Sequence, residues 1–123
     1  MAYTKILVIH NRLDMDAEQL LRRLGATGKL KGFYQAVYMI EQVKDNPAAA
    51  ALITKRLYPE TSKRFDASPS TVERNLRTII RTCWNWPDHT LLEEVAGTHL
   101  YRQPTNREFL DMTAAYLRRQ SQA

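Results

Sequence analysis

Apolar residues recur at three- and four-residue spacing over most of this chain. Residues 16–24 (DAEQLLRRL) read as a short helix that stops at Gly25. Over residues 31–43, Phe33, Val37, Ile40 and Val43 share one side, with Tyr34, Tyr38 and Met39 beside them. That broad apolar face predicts a longer helix. Residues 48–58 predict a further helical turn or two, favoured by the alanine run after Pro47. Pro59 interrupts, and PETSKRF restarts a helix with that proline in its first turn. The clearest periodicity lies in SPSTVERNLRTIIRTCW, residues 68–84. There Val72, Leu76, Ile79, Ile80, Cys83 and Trp84 form one helical face, and Arg74, Arg77 and Arg81 fall on the other. Residues 89–96 predict a short amphipathic helix ending at Gly97, and residues 98–103 a loop or short extended piece. A last helix, residues 105–118, opens with Thr105 as N-cap and Glu108 three residues on, the spacing of a capping box. Only residues 5–10 (KILVIH) read as a strand, and no second strand is there to pair with it.

The pattern therefore predicts an all-α domain of about six helices over residues 16–123, after an extension over residues 1–15. The length, 123 residues, is that of one domain. An apolar fraction of 44% suffices for a real core, and only 4 glycines disfavour a turn-rich all-β fold. A single cysteine excludes a disulfide framework and any Cys-based zinc site. His10, His89 and His99 lack metal-ligand spacing, and no glycine-rich phosphate loop or nucleophile–base set is visible. Neither an enzyme nor a cofactor is expected. Cys83 and both tryptophans, Trp84 and Trp86, read as core residues. Tyr34, Tyr38 and Tyr58 read as core or groove-edge residues. No apolar run approaches the roughly 20 residues of a membrane span. The first residues meet Arg12 and Asp14 after about five apolar positions, too few for a signal peptide. A cytoplasmic protein is expected.

Charge sharpens this picture. The net charge is +5, and residues 53–84 hold seven basic side chains against three acidic ones. A concentrated basic segment is the electrostatic footprint of a nucleic-acid reader; a solvated helix face would look the same by charge alone. The segment also has a distinctive order: short helix PETSKRF, polar turn DASPS, then the arginine-bearing helix. That is the order of a helix-turn-helix. Asp66, Ser68 and Pro69 supply turn and cap chemistry. Ser70, Glu73, Arg74 and Arg77 suit base reading, since Arg can fork onto guanine and Glu can accept from cytosine. Lys55, Arg56, Lys63 and Arg64 could meet phosphates or stand as plain surface residues. Two further alternatives stay open. Glu73 could close a capping box with Ser70, and Arg81 could serve the helix dipole. Asp88, Glu93 and Glu94 form an acidic patch, either a partner surface or a solvated face.

Four segments in order carry a family resemblance: KGFY at residues 31–34, ITKRLYP at 53–59, STVERNLR at 70–77 and QPTNREF at 103–109. Together the chain resembles the C-terminal DNA-binding effector domain of the stage-zero sporulation protein A family, response regulators of endospore formation. The resemblance covers roughly residues 20–118. It implies a six-helix effector domain of the winged-helix-like, response-regulator class. The third and fourth helices would form the helix-turn-helix, with the fourth in the major groove of double-stranded DNA. Carried over by motif, Glu73, Arg74 and Arg77 are implied base readers. Ser70 is an implied backbone contact, as are Lys55, Lys63, Arg64, Ser68, Thr71 and Arg81 around it. The family implies homodimers on tandem sites and contact with RNA polymerase sigma subunits through the last two helices.

The sequence also departs from the family. The family's N-terminal receiver, with its phosphorylated aspartate, finds no room in 123 residues. KILVIH resembles a receiver's first strand, but the acidic pocket does not follow. The loop after Trp84 is shorter, and RRQSQA is not the family's basic ending. Control by phosphorylation is therefore not carried over. A second reading remains: a protein-interaction module of the same fold that has lost specific DNA reading.

Overall fold

Asp16 opens the first helix with reciprocal hydrogen bonds. Its carboxylate accepts from the Gln19 N–H at 2.8 Å, and the Gln19 side chain accepts from the Asp16 N–H at 3.2 Å. The computed structural model describes residues 15–121. The strand expected at residues 5–10, with His10, lies outside the described residues. The helices are α1 (Ala17–Leu24), α2 (Phe33–Asp45), α3 (Tyr58–Phe65), α4 (Pro69–Asn85), α5 (Thr90–Ala96) and α6 (Asn106–Ser121). The fold is all-α, as the periodicity predicts, and no strand occurs among the described residues. Gly25 and Gly97 end α1 and α5 in the left-handed conformation expected of a helix-terminating glycine.

Residues 48–58 differ from expectation in kind. They form a 3₁₀ helix, Pro47–Leu52, then a π-helical turn, Ile53–Leu57, that runs straight into α3. The cause is Pro59. Its ring would clash with the carbonyl four residues back in a regular helix. The wider turn avoids this, with the Tyr58 N–H donating to the Ile53 carbonyl, five residues back.

The core draws on every helix. Leu20 and Leu21 of α1, Phe33, Met39 and Ile40 of α2, Leu76, Ile79 and Ile80 of α4, Leu92 of α5, and Phe109 and Leu110 of α6 are all fully buried. Each such side chain contributes about 1.5–3 kcal/mol through burial. The α2–α6 packing is the most extensive of the helix contacts, and α4 lies against both helices and α3. Gly32, at φ 79°, brings the α2 N-terminus onto α4 so closely that a Cβ there would lie 2.4 Å from Cβ of Asn75.

Trp86 corrects the sequence reading. Trp84 is partly buried and packs against the core, whereas Trp86 is 48% exposed. Trp86 precedes Pro87, and a residue before proline is biased out of helical geometry. The helix therefore ends at Asn85, and Trp86 leaves the apolar face with extended backbone. Its indole lies over Gly25, where a Cβ would come within 2.9 Å of the ring. Tyr34 is also half exposed, whereas Tyr58 is buried.

Candidate nucleic-acid interface

The turn between α3 and α4 is built from three residues. Asp66 ends α3 at φ 52°, a left-handed conformation that aspartate tolerates better than most residues. The Ala67 N–H donates to the Ser62 carbonyl at 3.0 Å. Ser68 caps α4, its hydroxyl accepting from the Thr71 N–H at 3.1 Å, with Pro69 as first helical residue. Ser68 Oγ also donates to Thr71 Oγ1 at 2.8 Å and lies 3.2 Å from Ser70 Oγ. Ser68, Ser70 and Thr71 thus form one hydroxyl cluster at the tip of α4.

Beyond that tip α4 has two faces. Val72, Leu76, Ile79, Ile80 and Cys83 are buried. Ser70, Arg74, Arg77 and Arg81 are exposed and follow one another at four-, three- and four-residue steps. At about 100° per residue these four fall within roughly 60° of arc, one straight row facing away from the core. Arg74 and Arg81 make no ion pair among the described residues. Arg77 donates to the Glu73 carboxylate at 2.7 Å, one turn back. Both partners stay nearly half exposed, so the pair is worth at most about 1 kcal/mol and holds Arg77 only loosely.

Two alternatives from the sequence are settled here. Glu73 closes no capping box with Ser70, because Ser68 is the cap and Ser70 already lies inside the helix. Arg81 does not serve the helix terminus, because α4 runs on to Asn85 and its last turn holds no basic residue.

The remaining basic residues are dispersed. Lys63 and Arg64 lie on the last turn of α3, both exposed. The Arg64 guanidinium sits over the Tyr38 ring at 4.9 Å from its centroid, so it leans on α2. Lys55 and Arg56 are exposed on the π turn, and Arg56 pairs with Glu60 at 3.4 Å. The hydroxyls of Ser68, Ser70 and Thr71 cluster at the tip of α4, and Arg74, Arg77 and Arg81 follow Ser70 along one exposed face; Lys55 stands on a different element from Lys63 and Arg64.

Asn106 lies in the QPTNREF segment, but the sequence reading assigns it no role. Its amide donates to the Tyr58 hydroxyl at 2.9 Å and to the Glu73 carbonyl at 3.1 Å. This ties the start of α6 to α3 and to the basic stretch of α4. Burial raises the Tyr58 hydroxyl's pKa above its ordinary value of 10, and the Asn106 bond pulls the other way. The link joins residues from LYP and PTN, two segments that the family resemblance rests on.

The acidic patch proves to be used internally. The Asp88 carboxylate accepts from the Thr90 N–H at 2.9 Å, and its pKa is lowered first by the Thr90 side chain and then by this backbone bond. Glu93 accepts from the Leu100 N–H at 2.8 Å and pairs with His99 at 2.6 Å, and it too is lowered, chiefly by the Leu100 bond. Glu94 accepts from the Tyr116 hydroxyl at 2.9 Å. The His89 ring packs against Trp84 and bonds the Trp84 carbonyl. Cys83 is buried, and desolvation pushes its thiol up to about 12, the behaviour of a packing residue.

A six-helix domain with α3, a tight turn and an arginine-bearing α4 is a helix-turn-helix domain of the DNA-binding class. Among known families, the one described as "Sporulation initiation factor Spo0A C terminal" matches residues 17–117. That span takes in all six helices apart from the final turn of α6. The chain belongs to this family, the DNA-binding effector domains of sporulation regulators. No helix among the described residues is long and apolar enough to cross a membrane.

Proposed function

We propose that the chain is a sequence-specific transcription regulator that reads double-stranded DNA with α4 in the major groove. The observation that carries this reading is the exposed row Ser70, Arg74, Arg77 and Arg81, opposite a fully apolar face. A helix so divided buries one side on its domain and offers the other to base edges. Arg74 and Arg77 fork onto guanine O6 and N7, and Glu73 accepts from a cytosine amine once Arg77 turns to the DNA. Ser68, Ser70, Thr71 and Arg81 meet the sugar-phosphate backbone along the same groove. Lys55, Lys63 and Arg64 supply longer-range phosphate contacts from the π turn and α3. The domain acts as a homodimer on tandem sites in the cytoplasm, and α5 and α6 face a sigma subunit of RNA polymerase.

Selection of bound duplexes from a random pool tests this directly. The reading expects enrichment of one short shared sequence. Fluorescence anisotropy at two salt concentrations then follows the selected duplex. Lys63→Ala is expected to weaken binding on all sequences alike and to lower the salt slope by about one unit. A pool that enriches nothing, with no salt-dependent binding, would favour the protein-interaction module instead.

A further inference from the structure

A hollow of about 460 Å³ opens beside the arginine row, where α4 meets the start of α6. Thr54 of the π turn, Tyr58, Glu73 and Arg77, and Gln103 and Arg107 line it. Arg107 has no counterpart among the basic residues already assigned. It is exposed, on the first turn of α6, and makes no hydrogen bond or ion pair among the described residues. Two carboxylates lie near it, since Glu108 and Asp111 share a second, smaller hollow with Arg107. Neither captures it. Glu108 is engaged by Arg102 at 2.9 and 3.0 Å and by the Thr105 N–H at 2.9 Å. Asp111 forms no pair with it.

The position of Arg107 is fixed by its neighbour. Asn106 donates to the Glu73 carbonyl, so the first turn of α6 is held against the turn of α4 that carries Glu73, Arg74 and Arg77. A cation held there, unpaired and sharing a hollow with Arg77, stands at the flank of whatever α4 touches. We propose that Arg107 binds a backbone phosphate of duplex DNA, just outside the bases covered by α4. This rests on the reading that α4 enters the major groove. It adds α6 to the DNA-contacting surface, on the side of α4 away from the Gly32–Asn75 contact. The contact carries no base information, because a phosphate is the same at every step.

The test uses the whole chain and the duplex selected on it. Anisotropy titrations over a series of salt concentrations compare wild type, Arg107→Ala and Arg107→Lys. Arg107→Ala is expected to bind several-fold more weakly on matched and mismatched duplexes alike, with a salt slope shallower by about 0.9. Arg107→Lys keeps the slope. A duplex with one flanking phosphate replaced by a neutral methylphosphonate costs the wild type affinity but leaves Arg107→Ala unaffected. Thermal melting of Arg107→Ala is expected to match wild type, since no bond is lost. If wild type binds with a clear salt slope and Arg107→Ala reproduces both slope and affinity, the phosphate assignment is overturned while the α4 reading stands. If wild type shows no salt-dependent duplex binding, the α4 reading fails and takes this contact with it.

Discussion

The bond from Asn106 to α3 and α4 permits a quantitative test of how the site is held. Asn106→Ala removes two hydrogen bonds, at 2.9 Å to the Tyr58 hydroxyl and 3.1 Å to the Glu73 carbonyl. A hydrogen bond contributes about 0.5–1.5 kcal/mol net, and a buried polar group left without its partner costs about 1–3 kcal/mol. The Tyr58 side chain is buried, with only 5% exposure, so its hydroxyl bears most of the loss. The Glu73 carbonyl lies inside α4 and keeps its helical acceptor role. The expected destabilisation is about 2 kcal/mol, or roughly 8 °C in melting temperature for a domain of this size. Tyr58→Phe should cost about 1 kcal/mol, because Asn106 then keeps its bond to Glu73. The double variant should fall short of the sum of the singles by roughly 1 kcal/mol. Chemical denaturation of the four proteins measures this. Additivity within about 0.3 kcal/mol would refute the direct bond. A spectroscopic titration gives a second check. Loss of the Asn106 donor removes a group that favours the phenolate, so Tyr58 should titrate still higher in Asn106→Ala.

Three further outcomes follow from local geometry. Glu108 is held down to about 2 by Arg102 and the Thr105 N–H, below an unfolded value of about 4.3. A depressed carboxyl stabilises above its unfolded pKa, so this contribution should vanish as pH falls from about 5 to 2, and Glu108→Gln should flatten that part of the pH–stability curve. Gly32→Ala should destabilise the domain by more than about 2 kcal/mol in urea denaturation. It adds left-handed strain of about 1–2 kcal/mol to a 2.4 Å clash with Asn75, and a neutral result would discredit the α2–α4 approach. Ser68→Ala should cost about 1 kcal/mol as a lost N-cap, while Ser70→Ala should leave stability unchanged; equal costs would mean that the cap is misassigned.

Much of this architecture could be read in advance, because it is written locally. Gly25 and Gly97 mark helix ends by their own conformational freedom, and Thr105 and Glu108 satisfy each other three residues apart. The two faces of α4 follow from spacing alone. What escaped depended on competition or on distance. Ser68 and Ser70 both offer a cap, and Pro69, as first helical residue, decides for Ser68. Trp86 counts as apolar in any periodicity, yet Pro87 ends the helix one residue too soon for it to reach the core. The π turn before Pro59 involves a change of hydrogen-bond register that composition does not encode. The partners of Asn106 lie 48 and 33 residues away, beyond any local signal. The acidic residues after Trp86 form a patch in sequence, but each carboxylate is drawn to its own internal donor.

The central claim is that the outward arginines of α4 read bases. Its most direct measurement is a binding titration of wild type and Arg74→Ala against the selected duplex and its single-base variants. The account predicts a loss of about 1–3 kcal/mol for Arg74→Ala on the selected duplex, with discrimination relaxed at one base pair and kept at the others. Unchanged affinity on the selected duplex, or an equal loss on every variant, would contradict it.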